Sequence, residues 1–244
     1  MSKLAIIGGT GLDSLIQLQS SKRVVVDTPY GAPSGLITRG MLFGEEILFL
    51  PRHGYSHSLP PHKINYRANL WALHELGAES VLAIAAVGGI RADMTPARLA
   101  IPDQIIDYTW GRTSTFNDAE GDEVVHIDFS QPYCETLRQR LLAAAVASAV
   151  DAVDGGTYGV TQGPRLETAA EISRMERDGC HLVGMTAMPE AALARELGLC
   201  YASCAVVANW AAGKSEGVIT MDEIEANLKV GMEQVGRLLQ AVCS

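Results

Sequence analysis

No stretch of this chain is apolar over anything near the roughly 18 residues that a membrane span needs. The longest such run, Leu141 to Val150, is alanine-rich and broken by Ser148, which suits a buried helix. Basic charge is also short: 19 Lys and Arg stand against 28 Asp and Glu, a net charge of −9. The clustered cations on which nucleic-acid binding depends are therefore missing, and any anion bound here must be met by local donors. The five cysteines (Cys134, Cys180, Cys200, Cys204, Cys243) form no C-x-x-C pair. Reduced thiols are expected rather than disulfides, and no metal site. Cys200 and Cys204 fall on one face of a strand, where buried packing is the expected role. Met1 to Leu4 turns into Gly8-Gly9 too soon for a signal peptide, so a cytoplasmic location is expected. No linker, repeat or low-complexity tract divides residues 1–244, which are expected to form one domain.

What is present is a globular composition, 48% hydrophobic and 19% charged, in which short apolar runs alternate with helical periodicities. Lys3 to Ile7 predicts a strand entering Gly8-Gly9-Thr10-Gly11, a turn that lets backbone N–H groups approach an anion, or simply a tight turn. The G-x-G-x-x-G dinucleotide pattern taken from Gly9 fails at Ser14, and Asp27 is the only acid placed for a ribose. Lys22 to Val26, Leu36 to Arg39 and Glu46 to Leu50 predict strands, the last ending at Arg52-His53, donors suited to phosphate or an unliganded loop. Tyr66, Leu70, Leu73 and Leu76 recur at helical spacing before Gly77, and Ser80 to Val87 is the continuous run of a doubly buried strand.

Ile101 to Tyr108 predicts a further strand region, and Thr109 to Glu123 is a long polar segment of the kind that carries function or moves. Helices are predicted from Tyr133 to about Val150, from Glu167 to Arg177, from Pro189 to Gly198, and after the capping signature Thr220-x-x-Glu223. Strands are predicted at Thr157 to Thr161, Leu182 to Gly184 and Tyr201 to Val207. Alternating elements imply an α/β fold with a mixed, largely buried central sheet flanked by helices. Thr10, Arg52, His53, Thr186 and Asn209 each follow an apolar strand and are positioned to converge on one sheet edge. Glu167, at the mouth of a helix, reads as a first-turn acid or a ligand contact.

Several dispersed segments occur in one order: Ala5 to Leu12, Asp27 to Gly31, Arg52-His53-Gly54, Asn65 to Leu73, Gly163-Pro164-Arg165 and Gly184-Met185-Thr186-Ala187-Met188-Pro189-Glu190. Through them the whole chain resembles the trimeric purine nucleoside phosphorylase and methylthioadenosine phosphorylase family. The resemblance implies the nucleoside phosphorylase fold, attack of inorganic phosphate on C1′ of a nucleoside, and no metal or organic cofactor. Phosphate is then expected at Thr10, Arg52, His53, Thr186 and the backbone near Ala85 and Ala86. Ala85 stands where methylthioadenosine phosphorylases usually carry a Thr. Met185 is expected under the ribose, and Leu166, Trp210 and Ala211 beside the base. His126 is expected to reach a neighbouring subunit's site, which implies a homotrimer with shared active sites.

The base contacts separate this chain from adenine-specific relatives, which have Asp where it has Asn209 and a small residue where it has Glu167. A 6-oxopurine offers an N1–H donor and an O6 acceptor, whereas a 6-aminopurine reverses both. The Glu167 carboxylate accepts from N1–H, and the Asn209 amide donates to O6 or accepts from a protonated N7. Asn209 and Glu167 are thus the expected catalytic and base-reading pair. Met221 aligns with an apolar position of methylthio-nucleoside enzymes, so S-methyl-5′-thioinosine is the expected substrate, with inosine and guanosine as alternatives. A nucleotide-binding oxidoreductase and a nonenzymatic ligand sensor are the alternatives from other classes.

Overall fold

The computed structural model describes residues 3–8 and 18–243. All eleven strands among them join one sheet: β1 (Leu4–Gly8), β2 (Gln19–Val24), β3 (Ile37–Leu42), β4 (Glu45–Pro51), β5 (Ser80–Gly89), β6 (Leu99–Ile101), β7 (Gln104–Asp107), β8 (Ala152–Asp154), β9 (Thr157–Val160), β10 (Leu182–Gly184) and β11 (Cys200–Trp210). Five α-helices accompany them among the described residues: α1 (Tyr66–Glu75), α2 (Glu135–Ala147), α3 (Ala169–Arg177), α4 (Ala187–Glu196) and α5 (Met221–Val242).

The centre of the sheet is the parallel set β4, β1, β5 and β11, with β5 paired to β1 and to β11. These strands are apolar at consecutive positions because both faces are covered. Ile7, Leu48, Leu50, Ala83 and Val207 pack with Leu70 and Leu73 of α1 and Leu193 of α4. Their neighbours Ile6, Ile47, Phe49, Leu82 and Val206 pack on the other face with Leu141 of α2 and Met232, Val235 and Leu239 of α5. A period of two sends adjacent residues to opposite cores.

Beyond Ala83 the edge of β5 left by β1 is taken by β10, which runs antiparallel, with Leu182 opposite Gly89 and Val183 opposite Gly88. Continuing that register brings Met185 and Thr186 back along β5 towards Ala86 and Ala85. The carboxyl ends of the parallel strands thus meet the carboxyl end of one antiparallel strand, which creates the site.

Several elements differ from sequence expectation. The region from Ile101 to Tyr108 splits into β6 and β7, because Pro102 has no N–H for a ladder and Asp103 turns its carboxylate onto Gly156 N (2.8 Å). β11 runs on through Asn209, and only Ala208 is extra in its register with β5, a bulge that turns the following side chains. The reduced-thiol expectation is overturned: Cys134, capping α2, and Cys200, opening β11, form a disulfide with Cα atoms 5.1 Å apart. Cys134 N donates to Tyr201 O (2.7 Å), which docks the helix cap on the strand and brings two residues 66 apart in sequence within bridging range. Cys204 is a buried free thiol, pushed up to about 12 by burial.

Candidate active site

A cavity of about 620 Å³ opens where β4, β5, β10 and β11 end. Its walls include Arg52, His53, Ala85, Ala86, Leu166, Glu167, Met185, Thr186, Asn209, Ala211 and Met221, so most of the expected site residues share one space. Trp210 faces a smaller adjoining recess of about 330 Å³ with Asn209. His126 is exposed just after the long polar segment and is not among the residues lining the cavity of its own chain. Thr10 lies outside the described residues.

The Glu167 wall of the cavity is built by the segment between β9 and α3. Thr168, not Glu167, caps α3: its hydroxyl accepts from Glu171 N, and the Glu171 carboxylate accepts from Thr168 N. Glu167 is therefore released from the first turn of the helix. Its Oε1 instead accepts the Thr161 hydroxyl at 2.5 Å, and the residue lines the cavity. Gly163 lets the connecting chain pass Met185. Its φ of +60° is a left-handed conformation, and a Cβ there would lie 2.5 Å from Met185 Sδ. Asn209 Nδ2 donates to Trp210 O (2.7 Å), which fixes the amide and leaves Oδ1 and one N–H uncommitted by that bond.

Arg52 departs from the simplest expectation, a cation free to meet an anion. Arg52 is 1% exposed, and its Nε and Nη2 donate to the two oxygens of Glu190 at 2.8 and 2.9 Å. Nη1 donates to Ile84 O at 2.8 Å. Burial opposes the guanidinium charge, but the adjoining Glu190 carboxylate outweighs it and raises the Arg52 pKa. Glu190, 0% exposed at the start of α4, also accepts from Tyr201 OH at 2.9 Å. Arg52 is thus a neutralised half of a buried pair that borders the cavity, with one N–H on each Nη beyond these three bonds. Glu190 closes the Gly184-to-Glu190 segment of the family resemblance, but its pairing with Arg52 has no local signal, because an acid in the first turn of a helix is common on any surface.

His53 Nδ1 lies 2.8 Å from Leu59 O; a carbonyl only accepts, so Nδ1 carries the proton and the neutral ring keeps Nε2 as an acceptor. Burial lowers the His53 pKa to about 4; the Leu59 bond opposes this, while Arg52 and His57 add to it. The remaining wall, His57, Leu59, Pro60, Ile219, Met221 and Ile224, is mostly apolar, and Met221 is 63% exposed at the mouth. Among the described residues no group of three His, Cys, Asp or Glu is placed to hold a metal ion, and no helix is long and apolar enough to cross a membrane.

A cavity at the carboxyl ends of a mixed sheet, walled by a carboxylate, an amide, a hydroxyl and an Arg-His pair, defines a site for a polar small molecule. Residues 3–244 match the phosphorylase superfamily, and the chain belongs to it. A probable S-methyl-5′-thioinosine phosphorylase from Xanthomonas campestris pv. campestris is 57% identical over 237 residues, 97% of this chain and 95% of that protein. The 6-oxopurine nucleoside phosphorylase of Pyrococcus furiosus is 45% identical over 246 residues, covering 99% of this chain and 92% of that one. Methylthioadenosine phosphorylase of Schistosoma mansoni, solved with adenine, superposes with a TM-score of 0.92 at 33% identity, covering 100% of this chain and 91% of that chain.

Proposed function

We propose that this enzyme cleaves a 6-oxopurine nucleoside with inorganic phosphate, S-methyl-5′-thioinosine being preferred, to give hypoxanthine and 5-methylthio-ribose-1-phosphate. The observation that carries this reading is the pairing of Glu167 and Asn209 on one cavity. Glu167, relieved of helix capping and gripped by Thr161, accepts from N1–H of the base. Asn209, with one N–H held by Trp210 O, keeps Oδ1 for N7–H and its second N–H for O6. An adenine base would set its N1 lone pair against the carboxylate, and each buried group left unsatisfied costs on the order of 1–3 kcal/mol.

In the reaction a phosphate oxygen bonds to C1′ as the C1′–N9 bond breaks and its electron pair leaves on the purine, which then takes up a proton. The transition state has oxocarbenium character. Asn209 stabilises the purine as negative charge develops, more in the transition state than in the ground state. Phosphate is held by the Thr186 hydroxyl, the backbone at Ala85 and Ala86, and the two remaining Arg52 N–H groups. Because Glu190 neutralises Arg52, these donors act through hydrogen bonds more than through net charge. His53, neutral with Nε2 an acceptor, binds a protonated phosphate oxygen. Met185 supports the ribose, and no metal or organic cofactor enters.

Ile219, Met221 and Ile224 give the 5′ end an apolar wall suited to a methylthio group. The relatives named for 6-oxopurine nucleosides keep inosine and guanosine as the second reading. We further propose a cytoplasmic homotrimer in which His126 completes a neighbour's site. Trp110 and Val124, between β7 and α2 like His126, are 72% and 75% exposed, apolar side chains that a second copy would cover. The family assignment leaves the oxidoreductase and sensor alternatives without a supporting feature. The test is base release from S-methyl-5′-thioinosine, inosine, guanosine and methylthioadenosine with and without phosphate. Phosphate-dependent release, fastest from S-methyl-5′-thioinosine, is expected; no phosphate-dependent release refutes the enzyme, and preference for methylthioadenosine refutes the base assignment.

A further inference from the structure

Arg112 sits in the polar segment between β7 and α2 and does not itself line the cavity, yet it is a heavily bonded side chain directly behind the cavity wall at Met185. Nη1 donates to Met185 O (2.8 Å) and Met188 O (2.5 Å). Nη2 donates to Thr161 O (3.2 Å) and Gln162 O (2.9 Å), and Nε to Gln162 Oε1 (3.2 Å). A guanidinium has five N–H donors in a fixed plane, and these five acceptors meet them, with Tyr66 OH 3.4 Å from Nη1 as a sixth partner. Four are backbone carbonyls, and no carboxylate is among these partners. The Tyr66 ring lies 5.7 Å from the guanidinium carbon and steadies the plane from one side.

The acceptors belong to two different arms of the site. Thr161 and Gln162 lead to Glu167, and the Thr161 hydroxyl holds that carboxylate. Met185 and Met188 flank Thr186, at the turn from β10 into α4. Between the arms, the main chain supplies the bond from Thr161 N to Gly184 O (2.8 Å). We propose that Arg112 is a positioning residue for the reaction: it fixes the base-reading arm against the arm that supports sugar and phosphate. This rests on the nucleoside reading given above. A nucleoside spans both arms, whereas free base and free phosphate each engage mainly one. The clamp therefore acts on turnover of the joined substrate, and a misplacement of about 1 Å is enough for a loss of about 100-fold. A lysine carries three donors at one point and does not bridge all five acceptors.

The experiment compares wild type, Arg112→Ala and Arg112→Lys in three measurements: kcat and KM for S-methyl-5′-thioinosine and inosine, binding of hypoxanthine alone and phosphate alone by calorimetry, and rescue of the alanine variant by millimolar guanidinium. The expected result is a fall in kcat/KM of about 100-fold for Arg112→Ala and a smaller fall for Arg112→Lys. Binding of each separate ligand stays within about twofold, and guanidinium restores part of the turnover. Nucleoside kcat/KM within about threefold of wild type in both variants overturns the inference. So does a parallel loss of hypoxanthine binding, phosphate binding and turnover, which marks a residue needed only for folding. Should Arg112→Ala not fold, the lysine variant carries the same criteria. A wild-type protein that turns over no 6-oxopurine nucleoside overturns the functional reading itself, whereas an active wild type matched by its variants overturns the clamp alone.

Discussion

Replacing Glu190 by Gln keeps the size of the side chain but removes its charge and exchanges one acceptor oxygen for an NH2 donor, and the effect on stability is expected to be large. The carboxylate is 0% exposed and accepts three bonds, from Arg52 Nε, Arg52 Nη2 and Tyr201 OH, at 2.8 to 2.9 Å. In the variant Arg52, 1% exposed, keeps its charge with no anion beside it. Breaking one side of a buried pair costs about 3–5 kcal/mol, because the orphaned charge stays desolvated. For a chain of this size each kcal/mol moves Tm by about 2–4 °C, so a drop of roughly 6–20 °C is expected. Phosphate then becomes diagnostic. If the free Arg52 N–H groups border the phosphate site, an anion restores part of the lost compensation, and phosphate raises Tm more in Glu190→Gln than in wild type. The assay is urea and thermal unfolding of both proteins over a phosphate series, with Arg52→Met/Glu190→Met as a third arm. Removing both charges should destabilise less than removing one. A loss below about 1 kcal/mol in Glu190→Gln, or a double variant less stable than the single, refutes the reasoning.

Asn209→Asp replaces the amide donor with an acceptor and should shift the ratio of 6-oxopurine to 6-aminopurine turnover towards the latter by on the order of tenfold; an unchanged ratio of initial rates removes Asn209 from base reading. His53 has a folded-state pKa of about 4 against an ordinary value near 6.5, so the unfolded chain binds more protons in that window. Stability from this group is fully present above pH 6.5 and falls by up to about 3 kcal/mol as pH drops to 4. His181, also lowered by burial, acts in the same direction, and the Glu171 carboxylate, held at about 2 by Arg165, acts only at lower pH. The slope between pH 6.5 and 4 should therefore flatten in His53→Gln, read by urea unfolding at each pH. Cys134→Ser opens a loop of 66 residues and should cost about 4 kcal/mol on the chain-entropy scale. Dithiothreitol should produce the same fall in wild type and none in the variant.

The parts legible in the sequence are those whose physical cause is local. Tyr66, Leu70 and Leu73 repeat at the helical period and form α1; Ser80 to Val87 is apolar throughout because β5 has a core on each face. Glu167 and Asn209 are paired in the sequence only by the family resemblance, and the structure brings both to one cavity. What the sequence hid lies in register and in long-range docking. Ala208 gives no sign of being a bulge, yet it decides how Asn209 meets the cavity. Cys134 and Cys200 are scattered until a helix cap docks on β11.

The least legible residues are the arginines, and for one reason. Arg52 read as a phosphate cation because it follows a strand, and Arg112 read as part of a polar segment because nothing around it is periodic. Their roles depend on what faces them. Arg52 meets Glu190 from 138 positions away and is charge-compensated, whereas Arg112 meets mainly backbone carbonyls, with Gln162 Oε1 and Tyr66 OH beside them and no acid among them. A guanidinium directed mostly at main-chain oxygens leaves no complementary charge to find, so only the fold reveals it. That the described site has one arginine neutralised by a carboxylate and another spent on carbonyls also explains its electrostatics. In the reaction proposed above, phosphate would meet oriented N–H and O–H groups rather than an uncompensated cation, which suits a site that must bind the anion and then give it up to carbon.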